Sequence, residues 1–262
     1  MLFRSMEYCI NHLGLRGIQI SSHVYGMELG DARLDPFWAA AEKMGTFIFM
    51  HPAGTIDKRY AKHQLWNSIG QSIEEALGMA SLWYEGTLDR FPNLKFCVAH
   101  GGGFLPFNAG RVDRNYIEKA FTRVAMTKSP SEYMQQNFYY DTCMYNAEMI
   151  DYLVSKVGPS RIVCGSDYPV GEEDPAGYVM RARGLSSADK AAILGGNVAY
   201  QPKTVAVYQK VNQVDCQRAD TFQLAGNEPG FHLIGHLGII HGVHQAPVLC
   251  QRGYTLQVRL PP

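Results

Sequence analysis

Phe47-Ile48-Phe49-Met50-His51-Pro52, Phe96-Cys97-Val98-Ala99-His100-Gly101 and Ile162-Val163-Cys164-Gly165-Ser166-Asp167-Tyr168-Pro169 decide how this chain reads. Each is a continuous apolar run closed by turn residues, the pattern of a parallel strand buried on both faces. Each also ends in an imidazole or a carboxylate. Where parallel strands alternate with helices in a barrel, the C-terminal ends of the strands form one rim, and the chemistry sits there. A single His at such a position is more often a satisfied structural residue. Three strand-end groups of compatible chemistry point instead to His51, His100 and Asp167 converging on one site.

Outward from these runs, strands alternate with helical segments. Met6 to His12 reads as the end of a helix stopped by Gly14, followed by a short strand, Gly17-Ile18-Gln19-Ile20. Asp35 is expected to cap a helix with Pro36 in its first turn and Gly45 as its stop. Ser72 to Phe91 reads as one long amphipathic helix ending before Pro92. Gly101-Gly102-Gly103 makes a turn, and Pro106 to Tyr116 reads as a helix. Phe138 to Thr142 is a strand, Asn146 caps a helix running to Val157, and Ser186 caps another that ends near Leu194. Such alternation builds a parallel sheet from βα units. Five strands are legible, near residues 18, 48, 98, 139 and 163, whereas a closed (β/α)8 barrel has eight in typically about 250 residues. The expected fold is therefore α/β, a partial TIM (β/α)8 barrel over residues 1–200.

Residues 201–262 differ in character, with scattered Gln and Gly, few acidic residues and no sustained helical period. They read as a poorly specified tail. His232, His236, His241 and His244 cluster there, and His232/His236 have the i, i+4 spacing of a helical metal site. Gly235, Gly238 and Gly242 oppose a stable helix, and no Glu lies between the pair to serve as a base. Incidental histidines are the expected reading.

Composition excludes several classes of function. The 24 basic residues balance 24 acidic ones, so no strong field would draw the chain to nucleic acid or an anionic membrane. Small molecules or other protein copies are the expected partners. Cys9, Cys97, Cys143, Cys164, Cys216 and Cys250 form no CxxC pair, which suits reduced thiols in a cytoplasmic protein. No apolar run of about 18 residues is present to span a bilayer, and Met1-Leu2-Phe3-Arg4-Ser5 lacks the order of a signal peptide.

At Phe49-Met50-His51-Pro52, Ala99-His100-Gly101-Gly102-Gly103 and Gly165-Ser166-Asp167-Tyr168-Pro169 the chain resembles the amidohydrolase-related metal-dependent decarboxylases, of the aminocarboxymuconate-semialdehyde decarboxylase kind. The likeness runs through Arg90-Phe91-Pro92-Asn93-Leu94-Lys95, Pro106-Phe107 and Arg111, over roughly residues 6 to 197. It implies that the five strands are the fourth to eighth of the metal-dependent hydrolase fold. It also implies a divalent metal, zinc by expectation, with His51 and Asp167 as ligands and His100 as acid/base. Arg111 would reach the carboxylate of a small-molecule substrate, in some members from the neighbouring protomer of a homodimer. The chemistry is coherent, because a metal-bound water and a nearby His both exchange protons near neutral pH, and Arg matches a carboxylate.

Other readings stand beside these. Arg111 could cap a helix or pair with Asp113 or Glu118. Asn67 falls where some relatives place an aromatic pocket residue, but loop packing is expected; His23 and His63 read as surface or supporting residues. Asp141 could face the mouth or pair near Tyr139 and Tyr140. Members of the family also begin with a strand bearing His-x-His or Glu-x-His, and no such motif occurs here. The resemblance therefore implies an N-terminally truncated copy joined to an unrelated C-terminal tail. The expected function is non-oxidative decarboxylation of a small unsaturated or aromatic carboxylic acid, impaired in this chain. Its rivals are a metal-dependent amidohydrolase or lactonase, since fold alone does not choose the reaction, and an inactive fragment.

Overall fold

The computed structural model describes residues 4–52, 54–55, 57–167, 171, 173–199, 231–234 and 255–258. Its centre is one all-parallel sheet of five strands: β1 (Gly17–Ile20), β2 (Phe47–Met50), β3 (Lys95–Val98), β4 (Phe138–Asp141) and β5 (Ile162–Val163). The strands lie in chain order, each hydrogen-bonded to the next. This is the outcome of repeated βα units that step sideways in one direction. The α/β expectation holds, and the sheet is a five-stranded part of a (β/α)8 barrel.

Register explains the core. Ile18, Ile48, Phe96 and Phe138 form one cross-strand row, and Ile20, Met50, Val98, Tyr140 and Ile162 form the next. All nine are buried beneath the helices, in one cluster with Trp38, Ala41, Met79, Leu82, Trp83, Ile150 and Leu153. Ring pairs bind the layers, with Trp38 to Phe96 at 5.5 Å, Phe96 to Phe138 at 5.6 Å and Trp83 to Phe138 at 6.0 Å. Each such side chain contributes about 1.5–3 kcal/mol by leaving water. The opposite face follows from strand alternation. It carries only a small cluster of Cys97, Tyr139 and Val163, with Phe47, Phe49 and Val198 partly buried against it.

The longer helices are α1 (Asp35–Met44), α2 (Gln71–Tyr84), α3 (Ala109–Glu118), α4 (Pro130–Gln136), α5 (Ala147–Val157) and α6 (Pro175–Arg181). Asn146 caps α5 as expected, accepting from the Glu148 and Met149 N–H groups, and Gly158 follows at φ 84°. Two expectations are corrected. Asp35 is the first residue of α1 rather than its cap and pairs with Arg90 at 2.8 Å, while Asp31 caps the preceding turn, Ala32–Leu34. The helix expected over Ser72 to Phe91 breaks after Tyr84 and restarts as Thr87–Arg90. Gly86 sits at the break in a left-handed conformation, φ 71°, where a Cβ would lie 2.7 Å from the Ala125 carbonyl oxygen.

The cysteines Cys9, Cys97, Cys143 and Cys164 are buried free thiols, as expected for small core residues. Among the described residues, no helix is long and apolar enough to cross a membrane. In the tail, Phe231–Ile234 pairs antiparallel with Thr255–Val258 and runs beside β1 without joining its ladder. His232 is thus on extended backbone; His236, His241 and His244 lie outside the described residues.

Candidate metal centre

His51 continues β2 by one residue. Its N–H donates to the Ile20 carbonyl at 3.0 Å, so the ladder with β1 fixes its backbone. Its Nδ1 lies 2.9 Å from the Pro52 carbonyl oxygen. A carbonyl can only accept, so Nδ1 carries the proton and Nε2 keeps a lone pair for a ligand.

His100 leaves β3 through a tight turn. It is left-handed at φ 50°, and Gly101, Gly102 and Gly103 follow at 63°, 80° and 62°. Only glycine adopts such a run cheaply. There is no room for side chains either: a Cβ at Gly101 would fall 2.4 Å from the Met144 Sδ, and one at Gly103 would fall 2.2 Å from the Ser72 carbonyl oxygen. From β4, Asp141 accepts the N–H groups of Gly101 and Cys143, each at 3.1 Å. Buried at 5% exposure, this carboxylate anchors the His100 turn. Its hydrogen-bond partners are thus the Gly101 and Cys143 N–H groups, not the Tyr139 and Tyr140 neighbourhood.

Asp167 lies beyond β5, also left-handed at φ 54°. Its Oδ1 is 3.6 Å from the His51 Nε2, and its Oδ2 is 3.7 Å from the His100 Nε2. The two imidazoles meet edge to face with centroids 5.2 Å apart. Tyr145 donates its hydroxyl to Asp167 Oδ2 at 3.5 Å. One ligand atom from each of His51, His100 and Asp167 lies within 4.8 Å of the others. The strand-end reading thus brings together all three residues it singled out.

The His51 imidazole and the Asp167 carboxylate suit a divalent cation, with the His100 imidazole beside them, and two protein ligands leave positions open for substrate. The charges agree. His100 and His51 hold the Asp167 carboxyl well below its ordinary range. Burial disfavours the imidazolium of His100, but Asp167 and then Glu75 outweigh it and push the ring up to about 11. A cation among these groups would take over that stabilisation and compete with the ring proton.

Glu75 went unnoticed in the sequence. It is fully buried on α2, and its Oε1 accepts a short hydrogen bond from the His100 Nδ1. Burial pushes its carboxyl up to about 7 against the pull of His100. A signal was present: Glu75 stands in the buried stripe with Gly78, Met79 and Leu82, where an acid needs a partner.

The remaining residues lie elsewhere. Arg111 is exposed on α3. Among the described residues it makes no ion pair, since Glu118 pairs with Arg114 at 3.0 Å and Asp113 accepts from Ser131. Asn67 is exposed and bonds Gln71, His63 is exposed at φ 58°, and His23 approaches Glu74 at 3.9 Å. Tyr168 and Pro169 of the third motif are outside the described residues.

The chain is similar to known proteins over most of its length. A family model described as Amidohydrolase matches residues 2–199. A 2-amino-3-carboxymuconate-6-semialdehyde decarboxylase from Dictyostelium discoideum is 34% identical over 198 residues, covering 74% of this chain and 55% of that protein. The crystal structure of 5-carboxyvanillate decarboxylase LigW from Sphingomonas paucimobilis superposes with a TM-score of 0.70 at 27% identity, covering 79% of this chain and 62% of that one. A dihydroxybenzoic acid decarboxylase from Polaromonas sp. JS666, with bound manganese and the inhibitor 2-nitroresorcinol, gives 0.68 at 24% identity, over 74% and 62%. The chain thus spans little more than half the length of these relatives.

Proposed function

Because the chain belongs to the amidohydrolase family, we propose that its rim centre serves the non-oxidative decarboxylation of a small unsaturated or aromatic carboxylic acid. The observation that carries the reading is the convergence of His51, His100 and Asp167 within 4.8 Å at the ends of three strands. His51 and Asp167 would hold a divalent ion. Zinc suits an imidazole and a carboxylate; the manganese of the Polaromonas structure makes Mn2+ the second ion to test. When bound, such an ion supplies Lewis-acid polarisation of a substrate oxygen.

The chain's own groups account for the proton. In decarboxylation the carbon–carboxylate bond breaks, carbon dioxide leaves, and the electron pair stays on carbon. That carbon must gain a proton. His100 is placed to deliver one from Nε2, the atom that faces Asp167, and to recover one from solvent. Arg111 presents a guanidinium fork for a substrate carboxylate, and a second copy of the chain would be one way for this exposed side chain to reach a mouth. We take residues 1–200 as the unit that does this work and a cytoplasmic setting as its context.

Carbon dioxide release tests the proposal. The purified chain, loaded with Zn2+ or Mn2+, is incubated with 5-carboxyvanillate and with 2-amino-3-carboxymuconate-6-semialdehyde. Metal-dependent release that His100→Asn abolishes is the expected result. Metal-dependent hydrolysis of amides or lactones without carbon dioxide would overturn it.

A further inference from the structure

The buried carboxylate of Glu75 has no role in the scheme above. It reaches the back of His100 from a different element, α2, at 0% exposure. Its Oε1 accepts from Nδ1 of the ring, while its Oε2 is buried with no hydrogen-bond partner among the described residues. An acid kept in an apolar helix face with half its acceptor capacity unused lowers stability. An apolar residue of similar size would pack there at no such penalty, so the cost points to a task.

We propose that Glu75 is a positioning residue: by accepting the Nδ1–H it locks the His100 ring so that Nε2 faces Asp167 and the ion site. The geometry supports a division of labour at His100. The backbone is set by Asp141 through the Gly101 N–H, at 3.1 Å. The ring rotation and its tautomer are set by Glu75, leaving Nε2 as the working atom. His51 is organised alike, with Nδ1 on the Pro52 carbonyl at 2.9 Å and Nε2 toward Asp167. Both imidazoles therefore present the same nitrogen to the same carboxylate, each tied from behind by an oxygen acceptor. Such supporting partners change metal affinity or activity by about 10–100-fold.

The inference rests on the metal-centre reading, and its test is chosen to fail separately from it. Ring-15N histidine labelling of the full chain, with His100 assigned by subtraction of the His100→Asn spectrum, reports the Nδ1-bound proton directly. Wild type should show an exchange-protected, downfield Nδ1–H on His100. Glu75→Gln, whose amide oxygen still accepts, should keep it. Glu75→Leu should lose it and bind Mn2+ about 10–100-fold more weakly, with a melting temperature equal to or above wild type, a combination that a merely structural role would not produce.

The proposal is overturned if wild type lacks the protected signal, if Glu75→Leu keeps both the signal and wild-type Mn2+ affinity, or if Glu75→Gln loses the signal as Glu75→Leu does. Should Glu75→Leu not fold, Glu75→Gln decides alone by the presence or absence of the signal. A wild-type chain that binds no Mn2+ would sink the metal-centre reading, while the ring signal would still decide this one.

Discussion

His100 is held by two carboxylates that do different jobs, and substitutions at and beside it should separate those jobs. Gly101→Ala places a methyl in a left-handed residue at φ 63° and 2.4 Å from the Met144 Sδ. The conformation alone costs about 1–2 kcal/mol, and the clash adds to it. The unfolding free energy measured in urea should fall by at least that amount, and an unchanged value would contradict the turn described. Asp167→Ala removes the one carboxylate that both imidazoles approach, at 3.6 and 3.7 Å. Zn2+ affinity by calorimetry should drop more than tenfold, about 1.4 kcal/mol; equal affinity in the variant would show that the ion sits elsewhere. His51, His100 and Asp167 were legible because each ends an apolar run, where strand geometry alone dictates the rim. Glu75 was legible only in part: its spacing from Gly78, Met79 and Leu82 puts it on the apolar stripe, but a glutamate in an amphipathic helix is ordinarily solvated, and its partner His100 is revealed only by the fold.

Among the elements, α4 offers the sharpest test of local structure. Ser129 accepts from the Glu132 N–H while the Glu132 side chain accepts from the Ser129 N–H, a reciprocal cap, and the helix buries Tyr133 and Met134. Ser129→Ala should cost about 1 kcal/mol in denaturant unfolding. The cap also predicts a pH dependence. Its hydrogen bonds from the Ser129 backbone and hydroxyl lower the Glu132 carboxyl. A depressed acid stabilises the fold above its unfolded value of about 4.3, and that stabilisation is lost as pH falls through the lower folded value. The difference between wild type and Glu132→Gln should therefore be full at neutral pH and shrink below about pH 4; a difference constant down to low pH would refute the linkage. This cap was open to sequence inspection, as Ser129-Pro130-Ser131-Glu132 spells it out. The break at Gly86 was not, because Leu82, Trp83 and Leu88 continue the apolar pattern across it.

For the whole molecule, the sheet's two faces and two edges matter most. One face is sealed by helices, while the other carries a small cluster with Phe47 and Phe49 half-buried. Among the described residues, β1 and β5 each have one hydrogen-bonded neighbour in the sheet. Strands with an open edge and apolar side chains invite pairing with other copies. A chain of these 262 residues should sediment as a dimer or larger, and a monomer with one cooperative transition would count against the open-edged sheet. The order and direction of the strands were readable, since apolar runs alternating with helices allow few topologies. What lies against the second face was not, because side-chain pattern states that a surface is apolar without stating its partner.

His51, His100 and Asp167 come from three separate βα units, and Glu75 and Asp141 support them from two further elements, α2 and β4. No short excerpt of this sequence could gather them. The centre exists only when β2 through β5 are in register, so a captured ion would behave as a gauge of the assembled sheet. It would be released all at once on unfolding, not one ligand at a time.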